Sequence, residues 1–263
     1  MSWSCKPQTR QEIRTPGDPS SAGRSAGEPS KNSTNRRFPG IPVLSIMSKK
    51  RVLIVDDHPL MRQGLAQLIN HEPGLMVVGE ASDAAAGLTA AIELMPDLVI
   101  IDISLPGKNG LELIKDIRAH TKQPALLVHS MHDESLYVER VLRAGGQGYI
   151  MKQEGGKKMM EAISKILEGE IYVSPAMSGK ILEIFSGRRA ASTDPVEALS
   201  DRQFEIFQMI GHGKGTRIIA EELKVSIKTV DAHRANIKDK LLLKSGNELV
   251  RYAVRWVENQ KLS

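Results

Sequence analysis

The sequence lacks the features that would place the protein outside the cell or in a membrane. It contains a single cysteine, Cys5, so no disulfide can form within one chain. No apolar run approaches the roughly 18 residues that a membrane-spanning helix needs. We therefore expect a soluble, cytoplasmic protein with no membrane partner.

Charge is distributed unevenly along the 263 residues. Lys and Arg outnumber Asp and Glu by 9 to 3 in residues 1–50 and by 14 to 10 in residues 188–263, whereas residues 51–187 carry 13 basic and 18 acidic side chains. An acidic segment can hold a metal ion, and a small basic segment has the charge expected of a nucleic-acid-binding domain. The length also allows two domains.

Residues 1–48 are expected to lie outside both domains. The stretch up to residue 46 is rich in Ser, Pro, Gly, Arg and Asn and has almost nothing to bury, which favours disorder. It contains no apolar segment of the kind found in signal peptides. Met47 directly precedes the first predicted strand, so this stretch is either a genuine disordered tail or the product of a mis-assigned start.

From Lys50 onward, apolar runs alternate with segments of helical periodicity. The predicted strands cover residues 51–55, 75–80, 97–102, 124–130 and 147–151, and the predicted helices cover residues 59–71, 83–95, 110–120, 134–144 and 155–168. This alternation is typical of an α/β domain with a doubly wound, five-stranded parallel sheet and helices on both faces. Ligand sites in such sheets lie beyond the carboxyl ends of the strands.

Chemically distinctive side chains occupy these strand ends. At or just past the ends of four strands stand Asp56, Asp57, Asp102, Ser130 and Lys152. Carboxylates at one sheet edge repel one another unless a cation joins them, and a hard dication such as Mg²⁺ prefers oxygen ligands. Carboxylates, Mg²⁺, a hydroxyl and an ammonium group together describe a phosphoryl site.

These residues, together with the pattern D-x-x-x-P-x-x-x-G from Asp102 to Gly110, make residues 49–170 resemble the receiver domain of two-component response regulators. The resemblance implies a flavodoxin-like fold with strand order 2-1-3-4-5. It implies that Asp102 is the phosphoacceptor, that Lys152 pairs with the phosphoryl group and that Ser130 hydrogen-bonds it. Tyr149 would be the switch residue that changes rotamer with Ser130.

The same resemblance assigns the metal ligands. Mg²⁺ would be bound directly by Asp57, through water by Asp56, and also by Asp102 and the backbone carbonyl of Ser104. Attack by the Asp102 carboxylate on a phosphoryl donor would give a labile aspartyl phosphate and needs no general base.

An enzyme with an aspartyl-phosphate intermediate is the alternative interpretation. A phosphohydrolase of that kind usually has a second acid two residues after the nucleophile, and position 104 is Ser. The basic C-terminal segment would also have no role in it. We therefore expect no catalysis beyond acceptance and slow hydrolysis of the chain's own aspartyl phosphate. The neighbouring histidines are expected to line or flank the site rather than to carry phosphate: His58, His129 and His132.

Residues 171–198 are expected to connect two domains. A Ser-Pro pair opens a helix, whose apolar residues recur at helical spacing as Met177, Ile181, Ile184 and Phe185. Residues 186–198 have no periodicity and the composition of a linker. A flexible linker of that length spans roughly 20 Å, which lets the domains dock or separate.

Residues 199–263 predict four helices, at about 200–210, 216–223, 227–241 and 246–257, with capping residues at several starts. The middle pair, IIAEELKVSIKTVDAHRANIKDKL, predicts a helix-turn-helix. With LSDRQFEIFQMIGHGKG before it and ELVRYAVRW after it, this all-α segment resembles the LuxR-type DNA-binding domain, and the whole chain resembles a response regulator of the NarL/FixJ family. A helical protein-interaction domain is the alternative.

Helical-wheel positions separate the two faces of the predicted recognition helix. The core face carries Val230, Ile237 and Leu241. Base contacts are expected from Asp231, Ala232 and Ala235, and phosphate contacts from Lys228, Thr229, Arg234 and Lys238. The acid at position 231 either accepts a hydrogen bond from cytosine or repels phosphate. His233 lies toward the core edge, where a structural role is expected.

The resemblance implies a complete signalling function. A sensor histidine kinase would phosphorylate Asp102, the receiver would shift between two conformations, and the released C-terminal domain would dimerise on double-stranded DNA and alter transcription. The last predicted helix carries apolar residues along two lines, more than one small domain needs, which favours a homodimer contact: Leu249, Ala253 and Trp256, and Val250, Val254 and Val257.

Overall fold

The computed structural model describes residues 48–185 and 194–261, which belong to one structural unit. The tail expected to be disordered, its Cys5 and Met47, and residues 186–193 of the expected linker lie outside the described residues. Among the helices of the described residues, none is both long and apolar enough to cross a membrane.

The first part of the described chain is an α/β fold in which strands and helices alternate. Its strands are β1 (Lys50–Val55), β2 (Leu75–Ala81), β3 (Leu98–Ile101), β4 (Ala125–Ser130) and β5 (Gly148–Met151), and its helices are α1 (Pro59–Asn70), α2 (Ala84–Leu94), α3 (Gly110–His120), α4 (Glu134–Ala144) and α5 (Gly156–Leu167). The strands form one parallel sheet in the order β2-β1-β3-β4-β5. The predicted topology is confirmed.

The central strand β3 shows why the sheet is covered on both faces. All four of its side chains are buried, and alternate residues of a strand point to opposite faces. Leu98 and Ile100 pack in one apolar cluster with residues of α1 and α5, whereas Val99 and Ile101 pack in a second cluster with residues of α3 and α4. The near-continuous apolar sequence of β3 thus follows from its central position.

The segment after α5 remains attached to the sheet. The backbone N–H of Tyr149 donates to the carbonyl of Tyr172 over 2.9 Å, and Tyr172 in turn donates to Gln147 over 3.0 Å. Helix α6 (Pro175–Phe185) begins at the predicted Ser-Pro pair and buries Met177 and Ile181. The side chains of Ile184 and Phe185 lie outside the described side chains.

The expectation that residues 186–198 form an irregular linker was wrong for its last part. A 3₁₀ helix (Pro195–Ala198) forms there, because the Asp194 carboxylate accepts a hydrogen bond from the Val196 N–H and the Val196 side chain is buried. The guanidinium of Arg140 on α4 also donates to the carbonyls of Val196 and Leu199. Contacts with the α/β part, which periodicity does not reveal, order this segment.

Four α-helices follow within residues 194–261: α7 (Asp201–Gly211), α8 (Thr216–Glu222), α9 (Ile227–Lys240) and α10 (Gly246–Lys261). Ser200 and Gln203 form the predicted capping box of α7, and Ser226 caps α9. α10 extends four residues beyond its predicted end. Its apolar side chains pack against α7, and α8 and α9 form the predicted helix-turn-helix.

Two glycine substitutions in helices should have opposite effects on stability. A Cβ added at Gly110 would overlap the backbone carbonyl oxygen of Asp102, whereas a Cβ at exposed Gly64 of α1 would meet nothing within 4 Å. Gly110→Ala is expected to lower the free energy of unfolding by about 1–3 kcal/mol. Gly64→Ala is expected to raise it by about 0.5–1 kcal/mol, because alanine loses less backbone entropy in a helix. Urea unfolding followed by circular dichroism measures both, and equal effects would contradict the close approach at Gly110.

Candidate functional site

Three carboxylates meet at one edge of the sheet. Because β1 and β3 are adjacent and parallel, the residues that follow them are neighbours, and the Asp102 N–H donates to the Val55 carbonyl over 2.8 Å. One ligand atom each from Asp56, Asp57, His58 and Asp102 lies within 4.8 Å of the others. The structure therefore brings together the three acids that the sequence places at the strand ends.

A buried lysine holds two of these acids. The Nζ of Lys152, just past β5, lies 2.7 Å from a carboxylate oxygen of Asp56 and 2.7 Å from one of Asp102. Burial raises the pKa of Asp102, although the Lys152 charge opposes this rise. Burial alone would lower the pKa of Lys152, but the carboxylates of Asp102 and Asp56 outweigh it and raise that pKa. Lys152 therefore stays protonated and supplies positive charge to the pocket.

The expected switch residues lie beside this pair. Ser130 ends β4 and is fully buried, and its hydroxyl accepts a hydrogen bond of 3.2 Å from the His132 N–H. The Tyr149 side chain points inward, and its hydroxyl donates to the His132 carbonyl over 2.8 Å. Burial raises the pKa of Tyr149, so its hydroxyl remains a donor. Both residues are thus linked through the backbone of His132.

Two histidines lie close to the pocket, of which His129 is buried and His132 is half-buried. The Nε2 of His132 lies 2.9 Å from the Ser104 hydroxyl, and burial lowers the pKa of His132 to about 4, with a further contribution from Lys214. Burial likewise lowers the pKa of His129 to about 4. Both rings are therefore neutral near pH 7. His58 lies at the mouth of the pocket, 2.7 Å from an Asp57 oxygen.

The helical part supplies groups to the pocket that the sequence did not indicate. The Nζ of Lys224, in the turn between α8 and α9, lies 2.7 Å from Asp57 Oδ2. Arg202 on α7 donates to the carbonyl of Gly107 in the loop after Asp102. Lys224 and Asp57 are 167 positions apart in sequence, and Arg202 and Gly107 are 95 positions apart. Contacts between such distant residues leave no periodic pattern in the sequence.

Helix α7 packs against α3 and α4 of the α/β part. Asp201 of α7 forms ion pairs with Lys115 and with Arg140. The Arg140 guanidinium also lies 4.1 Å from the centre of the Phe204 ring, and Tyr137 meets the same ring edge-on. Every side chain from Asp201 to Ile210 is buried as a result. Because the polar side chains of α7 are buried along with the apolar ones, α7 is covered by the α/β part on one side and by the other C-terminal helices on the other.

The recognition helix α9 has the two faces that the sequence predicts. Val230, Ile237 and Leu241 are buried. The residues expected to contact DNA are exposed, as Lys228, Thr229, Asp231, Ala232 and Ala235 are, or half-buried, as Arg234 and Lys238 are. His233 is half-buried, and burial lowers its pKa, in agreement with a place at the core edge. The docked α/β part therefore leaves the expected DNA-contacting side chains open.

The apolar surface of α10 is narrower than the sequence suggested. Leu249, Ala253 and Val257 are buried, whereas Val250 is exposed and Val254 half-buried. The half-buried indole of Trp256 packs edge-on against the rings of Phe204 and Phe207, and its Nε1 donates to Asp194 over 2.8 Å. Val250 is thus the exposed large apolar residue of α10 among the described side chains, and Trp256 is engaged near the domain interface.

Known proteins match both parts of the chain. Residues 52–164 match the family model of the response regulator receiver domain, and residues 197–253 match that of bacterial regulatory proteins of the luxR family. The chain is 36% identical over 210 residues to the oxygen regulatory protein NreC of Staphylococcus carnosus, a match that covers 78% of this chain and 97% of the relative. It is 35% identical over 210 residues to NreC of Staphylococcus aureus strain JH9, with the same coverage.

A solved structure matches most of the chain. RcsB of Salmonella enterica serovar Typhimurium, bound to promoter rprA in the presence of the phosphomimetic BeF₃⁻, matches with a TM-score of 0.53 and 25% identity, over 79% of this chain and 99% of that one. Receiver domains bind Mg²⁺ in an acidic pocket like the present one. The family models thus match both the α/β part and the helical part of the chain. The chain therefore belongs to the two-component response regulators of the NarL/FixJ family and is a phosphorylation-dependent, DNA-binding regulator of transcription.

Proposed function

We propose that Asp102 accepts the phosphoryl group from a sensor histidine kinase and that this event controls a C-terminal domain that binds double-stranded DNA as a homodimer. The observation that carries the proposal is Lys152, whose Nζ lies 2.7 Å from the carboxylates of both Asp102 and Asp56. A buried ammonium at that place pairs with acids at rest and with phosphoryl oxygens after transfer. We take residues 49–170 as the receiver, 171–198 as the connection and 199–263 as the DNA-binding domain.

The chemistry requires positioning more than acid–base catalysis. A carboxylate oxygen of Asp102 forms a bond to phosphorus while the bond from phosphorus to the donor breaks and the donor keeps that electron pair. Lys152 neutralises charge on the phosphoryl oxygens. Ser130 leaves the His132 N–H to hydrogen-bond the phosphoryl group, and Tyr149 then changes rotamer as the switch residue.

The donor set fits a hard divalent cation. Carboxylates of Asp56, Asp57 and Asp102 converge, and the backbone carbonyl of Ser104 stands in the loop that follows. These groups would hold Mg²⁺, with Asp56 acting through water. When bound, the ion supplies positive charge that offsets the phosphoryl oxygens.

Slow hydrolysis of the aspartyl phosphate is the only turnover that we assign to the chain. The residue two places after Asp102 is Ser104, which has no acidic group, and its hydroxyl is engaged with His132. At neutral pH the half-buried imidazole of His132 is uncharged. The pocket therefore lacks the second acid of an aspartyl-phosphate hydrolase, which fits a signal that persists.

DNA recognition is assigned to the exposed face of α9. Asp231, Ala232 and Ala235 would face base edges in the major groove, while Lys228, Thr229, Arg234 and Lys238 would hold phosphates. The docked arrangement leaves this face open, so phosphorylation would control DNA binding through dimerisation by α10 and through the position of the domain. Release of the contacts between α4 and α7 would allow α10 to dimerise and the domain to move.

Phosphorylation should require Asp102. With Mg²⁺ and a small phosphodonor, the wild-type chain is expected to gain one acid-labile phosphoryl group, whereas Asp102→Asn loses the nucleophilic carboxylate and should gain none. Asp116→Asn changes a half-buried aspartate of α3 that pairs with Lys108, and this matched control should behave like wild type. Intact-mass spectrometry measures the label. Undiminished labelling of Asp102→Asn would refute the assignment.

DNA binding should separate phosphate contacts from base contacts. Lys238→Ala is expected to weaken binding to all duplexes alike and to reduce the slope of log affinity against log salt concentration by about 1. Asp231→Asn should instead change the preferred sequence, by about 1–3 kcal/mol at the affected base pair. Selection from a random duplex library and salt titrations by fluorescence anisotropy measure these effects. Unchanged sequence preference in Asp231→Asn would remove that residue from the base contacts.

Loss of the domain interface should mimic activation. Arg140→Ala removes the contacts to Val196, Leu199, Asp201 and Phe204, and is expected to raise DNA affinity about tenfold without phosphodonor, within the usual range of coupling between sites. Arg143→Ala is the matched control, since the exposed Arg143 pairs with Glu139 of the same helix. Analytical ultracentrifugation should show more dimer for Arg140→Ala only. Equal affinities in both variants and the wild type would contradict restraint through this interface.

A further inference from the structure

The contact between Lys224 and Asp57 joins the DNA-binding domain to the phosphorylation pocket. Lys224 Nζ lies 2.7 Å from Asp57 Oδ2, and the Asp57 side chain is only 9% exposed, whereas the Lys224 side chain is 56% exposed. The lysine thus reaches from a surface turn into an acidic pocket. Its ammonium is placed on one of the carboxylates assigned to the divalent cation.

The backbone at Lys224 indicates that the side chain matters at this position. Lys224 has a φ of 51°, in the left-handed region that Gly and Asn adopt more readily than a long side chain does. A residue in such a conformation is tolerated where the surrounding structure holds it. The local turn would therefore favour Asn or Gly, and the ion pair with Asp57 gives a reason for Lys.

Other groups of the DNA-binding domain complement the charge of the pocket. Arg202 donates to the Gly107 carbonyl in the loop after Asp102. Lys214 and His212 lie close enough to His132 to contribute to the lowering of its pKa. Arg202 and Lys214 are also paired with Glu205 and Glu222 of their own domain, whereas Lys224 pairs with a carboxylate assigned to the metal.

An ammonium group and a dication compete for Asp57. Mg²⁺ demands a close oxygen shell at about 2.0–2.1 Å, and a second cation hydrogen-bonded to the same carboxylate opposes it by repulsion. We propose that Lys224 is an internal competitor of the divalent cation, holding Asp57 while the DNA-binding domain is docked and leaving it when the cation binds. This inference rests on the proposed function of the pocket and adds a regulator to it.

Linkage makes the effect reciprocal. If docking weakens cation binding through Lys224, cation binding weakens docking by the same factor. The cation then shifts the population toward undocked molecules before any phosphoryl transfer. Because Lys224 is more than half exposed, the factor lies near the lower end of the usual range of coupling, at about fivefold.

The test compares Mg²⁺ affinity in the full chain without phosphodonor. Lys224→Asn removes the charge and suits the left-handed backbone, so the fold is retained, and it should bind Mg²⁺ about fivefold more tightly than wild type. Lys224→Arg keeps the charge and should bind like wild type. Lys244→Ala removes an exposed lysine of the same domain as a control for net charge. Isothermal titration calorimetry gives the affinities, and equal values for wild type and Lys224→Asn would overturn the proposal.

A second measurement reports docking itself. In small-angle X-ray scattering, Mg²⁺ should increase the radius of gyration of wild type, and Lys224→Asn should already be larger without Mg²⁺. A radius that Mg²⁺ leaves unchanged in both would also overturn the proposal. Phosphoryl labelling of Asp102 tests the proposed function separately. Normal labelling with equal Mg²⁺ affinities would refute only the role of Lys224 as a competitor, whereas absent labelling would refute Asp102 as the phosphoacceptor.

Discussion

The ammonium group of Lys152 between Asp56 and Asp102 is the interaction on which the pocket depends. Parallel strands place the acids at one sheet edge, where their mutual repulsion and burial would favour protonation. Lys152 opposes both effects from a side chain that is only 3% exposed. Because the pKa of Asp102 still stays above its usual value, the ionised, nucleophilic carboxylate depends on this ammonium group just past the end of β5.

Part of the interface between the two domains lies beside this pocket, in the loop after Asp102 and at the start of α3. Asn109 caps α3 and its amide approaches Glu205 of α7 at 3.5 Å, while Arg202 pairs with the same glutamate and reaches the Gly107 carbonyl. Burial raises the pKa of Glu205, against the influence of Arg202. Loss of one partner of a buried ion pair leaves an uncompensated charge, so a shift of the loop after Asp102 would be costly unless α7 moves as well.

Local patterns in the sequence were sufficient for the secondary structure and for the residues at the strand ends. Apolar runs located β1 and β3, Ser200 marked the start of α7, and wheel positions placed Val230 and Ile237 in the core. Contacts between distant residues were not predictable in this way. The ion pair of Lys224 with Asp57 and the order of Pro195–Ala198 arise from tertiary packing, which neither periodicity nor capping encodes.

The close approach at Gly110 has a mechanical consequence. The first residue of α3 is packed so tightly against the backbone of Asp102 that no methyl group fits between them, and the Gly110 N–H donates to the Ile103 carbonyl. The start of the helix and the loop that contains the phosphoacceptor therefore cannot shift independently of each other. A displacement of that loop would move α3 with it, and α3 would transmit the motion to α7 through the contact of Lys115 with Asp201.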